Sequence, residues 1–387
     1  MLCLAMIVKN EARNIVDTLD SVLPHVGAVC IVDTGSTDET RDLVLDRLRA
    51  WQPANVTGIY SRVECRPWVD FSHNRNECLD LARELCGADD WILMMSGDSL
   101  LVRDPRLDPL GALVAQEAEM SSHSAFAIQT QLGTLEYPTV RLFRASSDWK
   151  YHGKVHEVAK SASGGTYGHI APESVRVRFL GTDRHDKPAQ WRQHLELLRE
   201  QMTEEGVSNP RTVFYLAQTH ACLGAYGDAA ALYRLRLAMV GGWEPERWEA
   251  RLRLATLRGT WSHKERDALL VQCSRDAPSR AEPWYYLAEN ARGREEWEPA
   301  YVCAALAAQC AGYSRAGLLF VRQDIYDYRA RLLLAKCAYD TGRYDEAREN
   351  FEAVLRTEKA NRGEVVFIRQ RIQLLSVANA GAGTPVA

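Results

Sequence analysis

Two short stretches hold the side chains best suited to chemistry. The first runs from Arg66 to Ala82 and contains Asn74, Arg75 and Asn76 ahead of Cys78, Leu79 and Ala82. The apolar and small residues recur at the three-and-four spacing of a buried helix face, which puts the polar trio in the opening turn of that helix. A helix opening is electropositive and offers free amides, so an arginine there is suited to phosphate. The second stretch is the apolar run Trp91 to Met95, which ends in Ser96, Gly97 and Asp98. Such a run reads as a buried strand, and Asp98 would then lie in the turn at its carboxyl end. Open α/β sheets bind ligands at that edge, where a carboxylate can hold a divalent cation against a diphosphate.

Three further segments offer polar groups to the same edge. Asn10 and Glu11 follow the apolar run Leu2 to Val8, and Asp33, Gly35 and Ser36 follow Val29 to Val32. Asp33 could recognise a nucleobase while Gly35 and Ser36 let the backbone approach it. The same residues also suit helix N-termini: Thr37 to Thr40 reads as a cap and first turn, and so does Asn10-Glu11. The third segment, Tyr151 to Glu157, carries His152, His156 and Glu157. His152 and His156 would share one face of an extended strand, although Gly153 lies between them.

The order and spacing of these segments, spread over most of residues 1–190, resemble the family-two glycosyltransferases of GT-A fold. Members of that family show an Arg-Asn opening a helix, followed by a strand that runs into an Asp-x-Asp metal motif. Tyr151 to Glu157 is similar to the His-Glu element of the subgroup that carries tetratricopeptide repeats, which includes the sublancin-type peptide S-glycosyltransferase. The resemblance implies a nucleotide-sugar donor, a UDP-sugar in first place, with inversion at the anomeric centre. It implies donor contacts from Asn10, Glu11, Asp33, Gly35, Ser36, Arg75, Ser96, Gly97 and Arg141, with Arg66 as a subsidiary cation. A divalent ion, Mn2+ or Mg2+, would be held by Asp98 and His156, with His185 behind them, and would screen charge on the leaving diphosphate. Glu157 would take the acceptor's proton; its alternative reading is a surface glutamate in a loop. A thiol acceptor would lower the demand on that base. The chain departs from the family pattern at Ser96, where the first Asp is expected, and at Ser99, where an acid often follows. A hydroxyl brings no charge to an ion.

The elements that must position these residues also follow from patterning. Apolar runs at Leu2 to Val8, Val29 to Val32, Thr57 to Ser61, Trp91 to Met95, Ala125 to Thr130 and Thr139 to Phe143 alternate with helical patterns. That alternation predicts an α/β, Rossmann-like, mostly parallel sheet over residues 1–190. From about residue 185 the pattern is helical. Leu216, Ala217, Gly224, Tyr226, Ala229 and Tyr233 fall at tetratricopeptide positions, and Trp284, Leu287, Ala288, Trp297 and Ala300 repeat the register. Leu334, Ala335, Gly342, Tyr344, Ala347 and Phe351 repeat it again, with a degenerate unit near Trp248 to Gly259 and an insertion near Ser314 to Asp327. An all-α superhelix over 191–377 is expected to hold a protein or peptide acceptor, or to self-associate into a homo-oligomer. The Ala, Gly and Pro-rich tail, 378–387, is expected to be disordered.

Composition narrows the setting. With 387 residues, 46% of them hydrophobic, the chain can bury a large core. A net charge of −4 argues against nucleic acid and anionic membrane as partners. The apolar start lacks a basic n-region and reads as a strand instead of a leader, and no run reaches membrane-spanning length. Ten scattered cysteines without a Cys-x-x-Cys pair fit a reducing cytoplasm and small buried hydrophobes. Two rival functions remain at this level. One is a binding protein with a degenerate transferase domain, suggested by Ser96. The other, ranked last, is a nucleotidyltransferase, which needs glycines after its first strand that Lys9-Asn10-Glu11 lacks.

Overall fold

The computed structural model describes residues 1–51, 60–104, 106–107, 109–180, 187–206, 208–259, 262–312 and 318–381. The chain divides into two compact units, Met1–Leu223 and Gly224–Ala387.

The first unit opens with β1 (Leu2–Val8), α1 (Ile15–Val22), β2 (Ala28–Asp33), α2 (Thr40–Ala50), β3 (Ser61–Cys65), α3 (Phe71–Arg83) and β4 (Trp91–Ser96). It continues with β5 (Ser99–Val102), α4 (Leu110–Ser121), β6 (Ala125–Leu132), β7 (Leu135–Arg144), β8 (Trp149–His152), β9 (Val158–Ser161), β10 (Gly168–His169) and β11 (Arg176–Phe179). Two helices, α5 (Lys187–Glu205) and α6 (Pro210–Cys222), end it. The main sheet has the order β3-β2-β1-β4-β7-β6-β11-β5, with β10 beside β6, while β8 and β9 form a separate hairpin. Strands β3, β2, β1 and β4 are mutually parallel and β7 runs against both its neighbours. The sheet is therefore Rossmann-like and mostly parallel, with its switch point between β1 and β4.

Period-two alternation puts successive residues of β1 on opposite faces. Leu2, Leu4, Met6 and Val8 pack with Ile15 and Leu19 of α1, Val44 of α2 and Val114 of α4. Cys3, Ala5 and Ile7 pack with Cys78, Leu79 and Ala82 of α3 on the other face. Both faces are covered, which explains why β1, β2 and most of β4 are continuously buried apolar runs. The strand expected at Thr57 to Ser61 differs. Residues 57–59 lie outside the described residues, and β3 begins only at Ser61.

The helical character does begin near residue 185, but the first compact unit continues past the expected boundary at residue 190 to Leu223. Helices α5 and α6 pack together and bond to the β8–β9 loop of the same unit, so pattern and compactness change at different places.

The second unit comprises α7 (Tyr226–Ala238), α8 (Glu244–Thr256), α9 (His263–Asp276), α10 (Ala281–Gly293), α11 (Trp297–Cys310), α12 (Ala330–Asp340), α13 (Tyr344–Arg356) and α14 (Arg362–Gly381). Each helix packs on the next from α7 through α11, α11 packs on α12, and the series continues to α14. The repeat residues Ala288 and Ala300, with Ala304 one turn further along, are fully or almost fully buried and let α10 and α11 approach closely. The turn glycines of the first and last registers, Gly224 and Gly342, have left-handed φ of 78° and 76°, and Glu295 takes the same conformation, φ 62°, in the middle register. The insertion expected at Ser314 to Asp327 falls partly on 314–317, outside the described residues. Helix α14 extends to Gly381. The first residues of the expected tail are thus helical, as their alanines favour.

Candidate functional site

The parallel strands end together and deliver four of the sequence-predicted segments to one edge. At the end of β2, the Asp33 carboxylate is 3% exposed and its Oδ1 accepts the Gly35 and Ser36 amides at 2.8 and 2.7 Å. Gly35 turns through φ 98°, a conformation that L side chains resist, so the chain reverses tightly around Asp33. The Asp33 carbonyl also accepts the Arg66 amide at 2.9 Å, tying the β3 exit to the same turn.

The end of β1 is bound to that turn. The Asn10 amide donates to Ser36 Oγ at 3.0 Å, and Asn10 Oδ1 accepts the Thr37 amide at 2.8 Å. The Glu11 amide donates to Thr40 Oγ1 at 2.7 Å, and the Glu11 carboxylate accepts from Asn14 at 2.9 Å. Asn10 and Glu11 therefore knit the β1 and β2 loops together in the manner of caps. At the end of β4, a Cβ on Gly97 would come within 2.9 Å of Glu11 Cγ and 3.2 Å of Val8 Cγ1, and the Gly97 carbonyl accepts from Thr18 at 2.9 Å. Glycine at this position lets the Ser96-Gly97-Asp98 turn close against the β1 loop.

Helix α3 brings the cation. Its N-cap is Asp70, whose carboxylate accepts the His73 amide. Asn74, Arg75 and Asn76 consequently lie in the second turn, not the opening one, and the amides of the opening turn belong to Phe71 to His73, of which Phe71 donates to the Lys154 carbonyl and His73 to Asp70. The three consecutive side chains diverge as helical geometry demands. Asn74, fully buried, bonds the Pro67 carbonyl and Val69 amide, while Asn76 exchanges bonds of 2.8 and 2.7 Å with the Tyr151 backbone of β8. Arg75 points between them. Its Nε donates to Glu157 Oε1 at 2.5 Å, its Nη2 donates to Ser96 Oγ at 3.3 Å, and its guanidinium lies 5.6 Å over the Tyr151 ring. The side chains of Arg75 and Glu157 are 12% and 13% exposed. Removing one partner of so enclosed an ion pair typically costs about 3–5 kcal/mol.

Arg141 approaches from β7, buried against Met94 O at 3.2 Å and the Phe179 ring. Burial, with Arg75 adding repulsion, disfavours its charge, whereas Tyr151, Tyr137 and Asp98 support it. Burial pushes the Tyr151 hydroxyl up to about 12. Tyr137 is also raised, first by burial and then by Asp98 and Glu157, with Arg141 opposing. Tyr137 was not legible as a site residue, yet Asp98, Arg141 and Glu157 all lie within its electrostatic reach. The structure therefore gathers Arg75, Ser96, Asp98, Arg141, Tyr137 and Glu157, and sets Asp33 and Ser36 in the neighbouring turn.

The histidines are arranged differently from expectation. Strand β8 stops at His152, Gly153 has φ 100° and His156 has φ 53°, so 153–157 is a loop and the two histidines do not share a strand face. The His156 ring stacks on Tyr215 at 4.1 Å and 10°, and meets His194 edge-on at 5.4 Å. Burial lowers the His194 pKa. His185 lies outside the described residues. Among the described residues no group of three or more His, Cys, Asp or Glu is assembled to hold a metal ion. With the His156 ring engaged by Tyr215 and His194, the expected pair of ion ligands is reduced to the single carboxylate of Asp98, and Mg2+ characteristically takes one or two carboxylates together with substrate phosphates.

All ten cysteines are free, and no helix among the described residues is long and apolar enough to cross a membrane. No family model matches the chain. Solved structures similar to it include MamA, at 17% identity over 45% of this chain and 96% of that one with a TM-score of 0.34. A thermophilic TPR protein of Thermus thermophilus is 16% identical over 48% of this chain and 92% of that one, with a TM-score of 0.33. A TPR repeat-containing protein of Synechococcus elongatus is 29% identical over 157 residues, 40% of this chain and 34% of that protein. The SPbeta prophage-derived glycosyltransferase SunS of Bacillus subtilis is 25% identical over 223 residues, 55% of this chain, and the chain spans 47% of that relative's length.

Proposed function

We propose that the protein is an inverting glycosyltransferase of GT-A, family-two type that moves a sugar from a nucleotide-sugar, a UDP-sugar in first place, to a protein or peptide acceptor. One observation carries the reading: Arg75 joins the strand-end residue Ser96 to Glu157 at the edge where the parallel strands finish. The similarity to SunS supports the same activity. In this reading the nucleobase meets the Asp33–Ser36 turn and the diphosphate lies toward Arg75 and Arg141. Those two guanidiniums stabilise the charge that grows on the diphosphate as its bond to the anomeric carbon breaks. Glu157 accepts the proton of the acceptor hydroxyl or thiol as that atom bonds to the opposite face of the sugar. A bound Mn2+ or Mg2+ at Asp98 would add Lewis-acid screening of the leaving diphosphate. The helical repeats offer the surface for the acceptor or for self-association, and ten free thiols fit a reducing, cytoplasmic setting.

The test is donor hydrolysis and transfer by the full chain across UDP-, GDP- and TDP-sugars, with and without Mn2+ or Mg2+. Turnover of one donor supports the proposal, and failure to bind any nucleotide overturns it. Ser96 in place of an acid favours one second reading, a nucleotide-binding scaffold without catalysis. Binding without turnover of any donor would select that reading.

A further inference from the structure

Resting on the role given to Glu157 above, we propose that Gln201, Arg211 and Tyr215, on the first two helices after the sheet, are positioning residues for transfer. They hold the 153–157 loop so that Glu157 meets the reacting atoms. The loop has no regular secondary structure to hold its backbone. It is irregular, it bends through left-handed φ at Gly153 and at His156, and the second of these is unfavourable for a residue with a Cβ. On its inner side the Phe71 amide donates to the Lys154 carbonyl at 3.0 Å.

The outer side is held by α5 and α6. Gln201, 6% exposed, accepts the Lys154 amide through Oε1 at 2.8 Å. Its Nε2 donates to Thr212 Oγ1 at 2.9 Å and Glu205 Oε2 at 3.2 Å, which fixes the orientation of the amide. Arg211 donates to the His156 carbonyl from Nη2 at 2.9 Å and Nε at 3.3 Å. Tyr215 stacks under the His156 ring and carries the Arg211 guanidinium 4.8 Å above its own ring. Lys154 adds an ion pair to Glu204 at 2.8 Å. The clamped carbonyl of His156 belongs to the peptide bond that leads into Glu157, so displacement of one is displacement of the other. Helices whose sequence begins the repeat pattern are in this way part of the reacting geometry, apart from any role in holding an acceptor.

The test uses the full chain with Arg211→Met and Tyr215→Leu, and with Arg211→Lys and Tyr215→Phe as conservative variants. A shift of about 1 Å in a reacting group costs on the order of a hundredfold, so kcat for transfer should fall roughly ten- to a hundredfold in the first pair. Donor KM and nucleotide Kd should stay within about twofold, because the Asp33 turn is untouched. Tyr215→Phe keeps the stack and should lose much less than Tyr215→Leu, and Arg211→Lys should recover part of the loss. Amide hydrogen exchange at 154–157 should rise in Arg211→Met and Tyr215→Leu while β1 and β4 keep their protection. Should Arg211→Met fail to fold, Arg211→Gln carries the same readouts. Unchanged exchange at 154–157 overturns the proposal, as does raised exchange with unchanged kcat or a loss spread equally over KM and nucleotide binding. If the wild-type chain turns over no donor, the transferase reading has failed, and the exchange measurement still decides whether the clamp exists.

Discussion

The two halves of the strand-end edge are built on opposite principles. Around Asp33 the polar groups are consumed by one another: Asp33 holds Gly35 and Ser36, Asn10 holds Ser36 and Thr37, and Glu11 holds Thr40 and Asn14. Around Arg75 the groups are charged and contributed by distant segments: Arg75, Glu157 and Arg141 are largely enclosed, and Asp98, Arg141 and Glu157 all act on Tyr137. The first half is a preorganised turn, and in the proposed reading its shape recognises the base. The second is a set of charges, and in the proposed reading a diphosphate competes with Glu157 for Arg75. Substitutions in the first half should therefore move stability and base selectivity, and those in the second should move turnover.

The largest effect is expected at Asp98. Asp98→Ala should abolish metal-dependent donor hydrolysis and transfer while the circular dichroism spectrum stays native; unchanged turnover would remove Asp98 from the site. Glu157→Gln comes next, with kcat lowered about a hundredfold or more and nucleotide affinity retained by calorimetry. The third pair separates the halves directly. Arg75→Ala should weaken UDP, GDP and TDP alike by about 1.5–3 kcal/mol, the worth of charge-assisted bonds. Asp33→Ala should instead blur discrimination among the three nucleotides and lower stability by about 1–2 kcal/mol through its two orphaned amides. Equal small effects from both would make the Asp33 turn a cap and nothing more. Gly35→Ala should cost about 1 kcal/mol in a urea melt, from strain at positive φ. The smallest change is Ser96→Asp, which should tighten Mn2+ binding in a titration. A loss of affinity would mean that Ser96 serves the nucleotide or acceptor through Arg75.

Legibility followed the range of the interactions. The apolar run of β1, the buried stripe of α3 and the register shared by Leu216, Leu287 and Leu334 all arise from local patterning, and the structure agrees with each of them. Errors appeared where a cap or a turn set the boundary. Asp70 caps α3 one turn earlier than the apolar spacing suggested, which moves Arg75 into the second turn. The left-handed φ at Gly153 and His156 breaks the strand that would have aligned two histidines.

The sequence by itself determined which residue types stand at the strand ends, that a Rossmann-like sheet precedes helical repeats, and that an arginine, a lone carboxylate and a His-Glu pair lie in that order. Those features depend on neighbours a few positions away, where backbone geometry leaves few choices. Only the tertiary structure decided that Arg75 would spend its charge on Glu157 and its second donor on Ser96, that Arg141 and Tyr137 would join them, and that α5 and α6 would close on the loop behind Glu157. These contacts join segments far apart in the chain. Which partner an arginine takes among several carboxylates is set by burial and relative position, and neither is a property of the residue or of its spacing.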